Sequence, residues 1–140
     1  MTIKCPNNVK GQYFGASLLS LGDCLLVGAP LYSESIAKRQ NGRVYVYCRV
    51  RNGQGLRQLR KLQEISPKEP KKESRFGSTM TSIDLNKDGH LDVIISAPGQ
   101  QNEDGSTGAV YAYYGKANKE LNIKSVKVRL ILDWFNHSKH

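Results

Sequence analysis

The chain has 140 residues, a formal net charge of +9 and a hydrophobic content of 39%. It contains neither a signal-peptide core at its start nor the run of about 20 apolar residues that a membrane helix needs. The basic residues are spread along the sequence, and their densest run, residues 68–75, is interrupted by acids and a proline. This pattern is typical of a solvated linker, and we expect no nucleic-acid partner.

The first half of the sequence predicts short strands joined by turns. Segments rich in β-branched and aromatic residues predict strands over residues 14–21, 24–29, 43–50 and 58–65. Between the last two, residues 51–55 read Arg-Asn-Gly-Gln-Gly, which is typical of a hairpin loop. No segment keeps the period of a helix, so the predicted fold class is all-β.

The second half of the sequence repeats the order of the first. It predicts strands over residues 76–83, 92–97, 109–114 and 123–132. Three anchors recur in the same order: Phe14-Gly15 with Phe76-Gly77, Gly28-Ala29-Pro30 with Ser96-Ala97-Pro98, and Val44-Tyr45-Val46-Tyr47 with Val110-Tyr111-Ala112-Tyr113. Repeated units of four antiparallel strands predict the blades of a β-propeller, which hides strand edges by radial packing.

An acidic loop separates the first two predicted strands of the second copy. Residues 84–92 read Asp-Leu-Asn-Lys-Asp-Gly-His-Leu-Asp, with oxygen-bearing side chains at alternate positions. Ca²⁺ takes six to eight oxygens at about 2.3–2.6 Å, and alternate residues of a tight loop face one point. The predicted ligands are the side chains of Asp84, Asn86, Asp88 and Asp92 and the backbone carbonyl of His90, with Gly89 allowing the bend.

Two other interpretations of this loop compete with a calcium site. An EF-hand is excluded, because the twelfth position from Asp84 is Ile95, in a β-branched run, instead of a glutamate before a helix. A polar hairpin turn without metal stays open, because Asp, Asn and Gly favour turns by themselves. In the first copy the link is only residues 21–23, so we expect calcium in the second copy alone.

Two of the three cysteines are predicted to face each other. If strands 24–29 and 43–50 form a hairpin with Ala29 near Arg43 or Val44, Cys24 lies opposite Cys48, within reach of a disulfide that would suit an oxidising compartment. Two buried free thiols are the alternative, because a shift in strand register would separate the pair. Cys5 has no predicted partner in the chain.

The ordered anchors resemble the FG-GAP repeats of integrin α-subunits. The likeness covers roughly residues 11–115 as two repeats, the second reading Ser-Ala-Pro in place of Gly-Ala-Pro. In that family such repeats build the N-terminal β-propeller of the extracellular head, and blades with the acidic loop bind calcium between their first and second strands. The resemblance therefore implies the same five ligands in the second repeat and none in the first.

The resemblance also implies a function in cell adhesion. We expect a receptor segment at the extracellular face of the plasma membrane, anchored outside these residues, that pairs with an integrin β-subunit and binds matrix or cell-surface proteins. Residues 31–41, 66–74 and 99–107 are the loops expected to face such ligands. No Gly-x-Ser-x-Gly or His-Glu-x-x-His arrangement occurs, so no catalytic residue and no enzymatic activity are predicted.

Two alternatives to an adhesion receptor remain at this point. One is an FG-GAP accessory region of a glycosyl-phosphatidylinositol-specific phospholipase D-like enzyme, whose catalytic zinc domain would lie elsewhere. The other is a free-standing calcium-binding repeat protein. The features upstream of the segment, either further repeats or a histidine-rich hydrolase domain, would discriminate between them.

The predicted organisation is a leader at 1–10, a repeat without the calcium loop at 11–65, a linker at 66–75, a repeat with the loop at 76–132 and an unassigned tail at 133–140. Asn136 begins an N-glycosylation pattern, Asn-His-Ser. Two blades are fewer than the four to eight that typically close a propeller. We therefore expect a piece of a longer protein, marginally stable alone unless copies assemble.

Overall fold

The computed structural model describes residues 1–6 and 10–115. Within them, two antiparallel sheets run in the orders β1-β2-β3-β4 and β5-β6-β7. The strands are β1 Ser17–Leu21, β2 Cys24–Ala29, β3 Arg43–Arg51, β4 Arg57–Ile65, β5 Met80–Ile83, β6 Asp92–Gln101 and β7 Thr107–Tyr113. The all-β blade architecture is confirmed. None of the described residues belongs to a helix long and apolar enough to cross a membrane.

Three predictions made from the sequence fall on residues that the structure does not describe. They are the fourth strand of the second blade at 123–132, the tail at 133–140 and the glycosylation candidate Asn136. They stay predictions.

Each sheet has two ends that carry different loops. We call the end with residues 30–42, which connect β2 to β3, the upper end. The opposite, lower end of the first sheet carries the β1–β2 turn and the β3–β4 hairpin loop, residues 52–56. The loop between β5 and β6 lies at the lower end of the second sheet. The predicted loop at 51–55 is therefore confirmed to within a residue.

The first strand of each blade begins later than predicted. Tyr13 and Arg75 both have φ 54°, and the glycines after the two phenylalanines have φ 93° and 89°. Left-handed backbone does not continue a strand. The Phe-Gly motif is therefore a turn that places the phenylalanine ring, and the strand starts only at Ser17 or Met80.

β2 and β3 pair in one of the two predicted registers. Ala29 is opposite Arg43 and Cys24 is opposite Cys48. A disulfide joins Cys24 to Cys48, whose Cα atoms are 4.0 Å apart, so the alternative of two free thiols is wrong. The bridge ties the two central strands of the first sheet together near its lower end. Cys5 is a partly buried free thiol.

The recurring Phe and Tyr anchors contact each other in both repeats. Phe14 lies edge-on to Tyr45 and Tyr47, with ring centroids 5.5 and 6.3 Å apart. Phe76 meets Tyr111 and Tyr113 in the same way, at 5.5 and 6.1 Å. Such edge-to-face pairs contribute about 0.5–1.5 kcal/mol each beyond area burial. The spacing of the motifs in the sequence thus reflects one aromatic contact used twice.

The main core joins one face of each sheet. Leu26, Val44 and Val46 from the first sheet and Val93 and Ile95 from the second are all buried in one cluster. Phe76 belongs to the same cluster and is fully buried. The opposite face of the first sheet holds a smaller cluster, against which Ile3 of the leader packs.

The link between the blades is docked at its end. Backbone hydrogen bonds of 2.8–3.2 Å run from the amides of residues 73, 75 and 76 to the carbonyls of residues 39–41. The fully buried Ser74 donates its hydroxyl to the carbonyl of Asn41 at 2.8 Å. The prediction of a solvated linker is therefore wrong for these last residues, because the backbone ladder between the blades continues through them.

Removing the disulfide is expected to lower the free energy of unfolding by about 3 kcal/mol, from the chain entropy of the loop it closes, which spans a sequence separation of 24. We would compare denaturant unfolding of the Cys24→Ala/Cys48→Ala double variant with that of Cys5→Ala, which should lose less than about 1 kcal/mol. Mass spectrometry of non-reduced peptides provides the direct check. Free thiols at both positions, or a bridge to Cys5, would contradict the assignment.

Gly42 is expected to be intolerant of a side chain. Its φ is 79°, and a Cβ there would overlap the backbone of Phe76. Gly11 has the same φ of 79°, but a Cβ added there would meet no atom within 4 Å. Gly11→Ala therefore measures only the cost of placing an alanine in the left-handed conformation, about 1–2 kcal/mol. Gly42→Ala should lose at least about 1 kcal/mol more than Gly11→Ala in urea unfolding. Equal losses would show that the blades do not approach as closely here.

Candidate metal centre and upper groove

The acidic loop is a strand connection at the lower end of the second blade. Ile83 and Asp92, the last residue of β5 and the first of β6, pair directly across the ladder, so the loop joins two antiparallel strands as predicted. Lys87 and Gly89 have φ of 58° and 86°. Two left-handed residues within three positions turn the chain sharply, and the side chains on the inside of the turn are brought together.

Side chains of the predicted ligands line the inside of this turn. The two carboxylate oxygens of Asp84 accept from the amides of Asp88 and Gly89 at 3.0 and 2.9 Å. Asp88 accepts from the amide of His90 at 2.9 Å and from the Asn86 side-chain amide at 3.0 Å. These bonds bring the side chains of three predicted ligands to the inside of one turn.

Asp92 holds the loop to the rest of the blade. It is fully buried, and its carboxylate accepts from the amides of Leu85 at 2.8 Å and Gly115 at 2.9 Å. A buried carboxylate without such partners would be strongly unfavourable. The residue therefore has a role that its place in the motif does not reveal, because Gly115 is far away in sequence and follows β7.

The oxygen donors of the loop suit a hard cation, although the carboxylate oxygens do not all point at a common position. Among the described residues, no three His, Cys, Asp or Glu side chains stand close enough to hold an ion as placed. The oxygens of Asp84 and Asp88 face loop amides instead. Each carboxylate oxygen has a second lone pair, so both can keep these bonds and still bind an ion. Asn86 would have to present its oxygen in place of its amino group.

The protonation state of the loop favours cation binding. The His90 amide, which donates to Asp88, lowers the pKa of that carboxyl below its ordinary value, and the Asn86 side chain acts in the same direction. Asp88 is therefore ionised at neutral pH. The backbone amides that point at the carboxylates offset part of their mutual repulsion when no cation is bound.

The first blade has no counterpart of this loop. Leu21 pairs directly with Cys24, leaving only Gly22 and Asp23 in the turn. A single exposed carboxylate provides far fewer than the six oxygens that Ca²⁺ prefers.

A second candidate surface is a groove of about 400 Å³ at the upper end, between the blades. Three of its lining residues, Tyr13, Gln40 and Arg75, are non-glycine residues with φ between 48° and 54°. Such conformations cost about 1–3 kcal/mol each and persist only where surrounding contacts impose them, often at binding sites. The rest of the lining consists of Pro30, Leu31 and Ser78.

Charged side chains support the upper loop of the first blade. The Arg43 guanidinium stacks 3.9 Å from the centre of the Tyr32 ring and contacts Glu64 at 2.8 Å. Lys61 contacts the other oxygen of Glu64 at 2.7 Å. Arg43 is largely buried, so this ion pair is less screened than a surface pair. The network ties residues 30–42 to β3 and β4.

The sequence predicted part of the groove. Leu31 and Gln40 belong to a loop expected to face ligands, whereas Tyr13, Pro30, Arg75 and Ser78 lie outside the loops predicted from the sequence. Tyr13 and Arg75 directly precede Phe14 and Phe76, so their place before each Phe-Gly turn was the available signal.

Comparison with known proteins identifies the repeat. A family model described as the FG-GAP repeat matches residues 76–113. Integrin alpha-10 of Homo sapiens is 40% identical over 113 residues, and integrin alpha-2 of Mus musculus is 37% identical over 113 residues. Each match covers 75% of this chain and 9% of the relative, so the chain spans only a small part of the proteins it matches.

A further relative supports the same family. Integrin alpha-11 of Mus musculus is 39% identical over 116 residues, again covering 75% of this chain and 9% of that protein. The family match, the relatives and the two antiparallel sheets agree with one another. The chain belongs to the integrin α-subunit family, as a segment of about two FG-GAP blades of its N-terminal β-propeller.

Proposed function

We propose that this segment is a calcium-binding, extracellular part of an integrin-like α-subunit that acts in adhesion and ligand recognition as a heterodimer with a β-subunit. The proposal rests chiefly on the loop of residues 84–92, whose acidic side chains line one turn at the lower end of an FG-GAP blade. The disulfide is consistent with an oxidising compartment outside the cell. An enzymatic role is not part of this proposal.

Calcium would act in this loop as a structural ligand. Asp84, Asp88 and Asp92 carry negative charges into one turn, and loop amides offset their repulsion only in part. A divalent cation replaces this repulsion by attraction. Asn86 and the His90 carbonyl would complete the oxygen shell. Because Asp92 is bonded to Gly115 after β7, an ordered loop would also order the end of the blade.

The upper end is the surface proposed for protein partners. The groove there combines a 68% exposed tyrosine, Tyr13, with the exposed Arg75. Tyr and Arg are enriched among residues that dominate binding energy at protein interfaces. The loop network around Arg43 holds one wall of the groove in place, which would reduce the entropy lost on binding.

Calcium should stabilise the segment through Asp88. Sites of this kind outside cells have dissociation constants of about 10⁻⁴ to 10⁻³ M, so millimolar calcium should raise the free energy of unfolding by about 1 kcal/mol. Asp88→Ala should abolish that gain. Calorimetric titration and thermal unfolding with calcium or with chelator would measure it.

The matched control for this experiment is Asp23→Ala, which removes the exposed carboxylate from the corresponding turn of the first blade. It should leave the calcium response unchanged. A normal response in the Asp88 variant, or its loss in the Asp23 variant, would place the site elsewhere.

The upper groove should contribute to pairing with a β-subunit. Tyr13→Ser combined with Arg75→Ala is expected to weaken binding to an immobilised integrin β-subunit ectodomain at least tenfold, as measured by surface plasmon resonance. Leu62→Ser, at a 55% exposed position on β4, is the control and should bind normally. Equal binding by the wild type, the double variant and the Leu62 variant would contradict the assignment of the upper groove to β-subunit pairing.

A further inference from the structure

The β3–β4 hairpin brings three arginines together on one face of the first sheet. Arg49 and Arg51 alternate along β3, so their side chains share one face of the sheet, and Arg57 on β4 is directly opposite Arg51. All three are exposed. Alternate residues of a strand are roughly 7 Å apart and neighbouring strands about 5 Å apart, so the three arginines start from adjacent positions at the lower end of the first blade. We call them the arginine row.

No acidic side chain neutralises this row. Between Glu34 and Glu64 the sequence contains no Asp or Glu. None of the three arginines forms an ion pair among the described residues, where Glu64 is instead held by Arg43 and Lys61. The Arg49 amide donates to the backbone carbonyl of Asp23 at 2.9 Å, but no ion pair joins their side chains.

The arrangement is unfavourable for the fold itself. Like charges directly opposite each other on neighbouring strands destabilise a sheet, and Arg51 and Arg57 are such a pair. No contact in the described structure compensates this repulsion. A negatively charged ligand would.

We propose that the row of Arg49, Arg51 and Arg57 binds a linear sulfated polysaccharide of the heparan type. A guanidinium presents a planar fork of N–H donors that fits a sulfate group at two points. Several forks in a row suit a polymer with repeated anionic groups better than a single small anion. The disulfide lies in the same strand pair as Arg49 and indicates an oxidising compartment, where sulfated glycans rather than nucleic acids are the abundant polyanions. In this respect the inference rests on the proposed extracellular function.

Binding to immobilised heparin at 0.15 M NaCl tests the proposal. The Arg49→Gln/Arg51→Gln/Arg57→Gln variant should bind at least tenfold more weakly than the wild type. The slope of log affinity against log salt concentration should fall in magnitude by about two to three. Each arginine that neutralises a sulfate group releases about one counterion from the polysaccharide, and the variant lacks three such arginines. The same variant should be no less stable than the wild type in urea, since it removes a repulsive pair.

The matched control removes the same charge elsewhere. Lys68→Gln/Lys71→Gln/Lys72→Gln alters three exposed linker lysines and should lose less than threefold in heparin affinity. Equal losses of heparin affinity in both variants would show that binding depends on net charge and not on the arginine row, which would overturn the proposal. Unchanged heparin affinity in the arginine variant would also overturn it. Single-stranded DNA that bound as tightly as heparin would assign the row to nucleic acid instead.

Two further variants keep the result interpretable. Replacing the three arginines by lysine keeps the charge and removes the forks, and should weaken heparin binding at least threefold; unchanged binding would contradict the proposed recognition. If the glutamine variant does not fold, the lysine variant decides. Asp88→Ala should bind heparin as the wild type does, so failure of the calcium proposal and failure of this one are distinguishable.

Discussion

Phe76 docks the second blade against the first through both its backbone and its ring. Its amide donates to the carbonyl of Asn41 at 3.2 Å, and its backbone forms a bridge with Gly42 in the first blade. Its fully buried ring packs against two tyrosines of the second blade. One residue therefore joins the backbone of one blade to the side-chain core of the next. Burying such a ring contributes about 1.5–3 kcal/mol, and it also fixes the distance between the sheets.

This docking sets where the candidate functional surfaces lie. With the blades joined near Gly42, the loops of residues 30–42 and the turn at Arg75 meet at the upper end and enclose the groove. The acidic loop lies at the lower end of the second sheet, and the row of Arg49, Arg51 and Arg57 lies at the lower end of the first. A partner protein, a cation and a polyanion could then be bound at separate places, because the rigid sheets keep the loop clusters apart.

The acidic loop illustrates how one residue can belong to both the fold and the site. Asp92 is buried and bonded to amides of Leu85 and Gly115, whereas Asp88 is exposed and its pKa is lowered by the His90 amide. Asp92 therefore stabilises the blade through its hydrogen bonds whether or not a cation is bound. Asp88 is exposed, so its carboxylate could bind a cation without loss of a buried contact. This division explains why Asp88 rather than Asp92 is the informative position for separating calcium binding from stability.

Alternation and repeated anchors are local signals, so the all-β class, the two repeats and the Cys24–Cys48 pair could be predicted from the sequence. It also located the acidic loop between two strands. The folded chain was needed to show that the Phe-Gly segments are left-handed turns, that Ser74 is buried in the link and that Asp92 is bonded to Gly115. The arginine row depends instead on the exact register of the β3–β4 hairpin, which places Arg51 opposite Arg57. The contacts of Ser74 and Asp92 join residues distant in sequence, and a linear pattern carries no record of them.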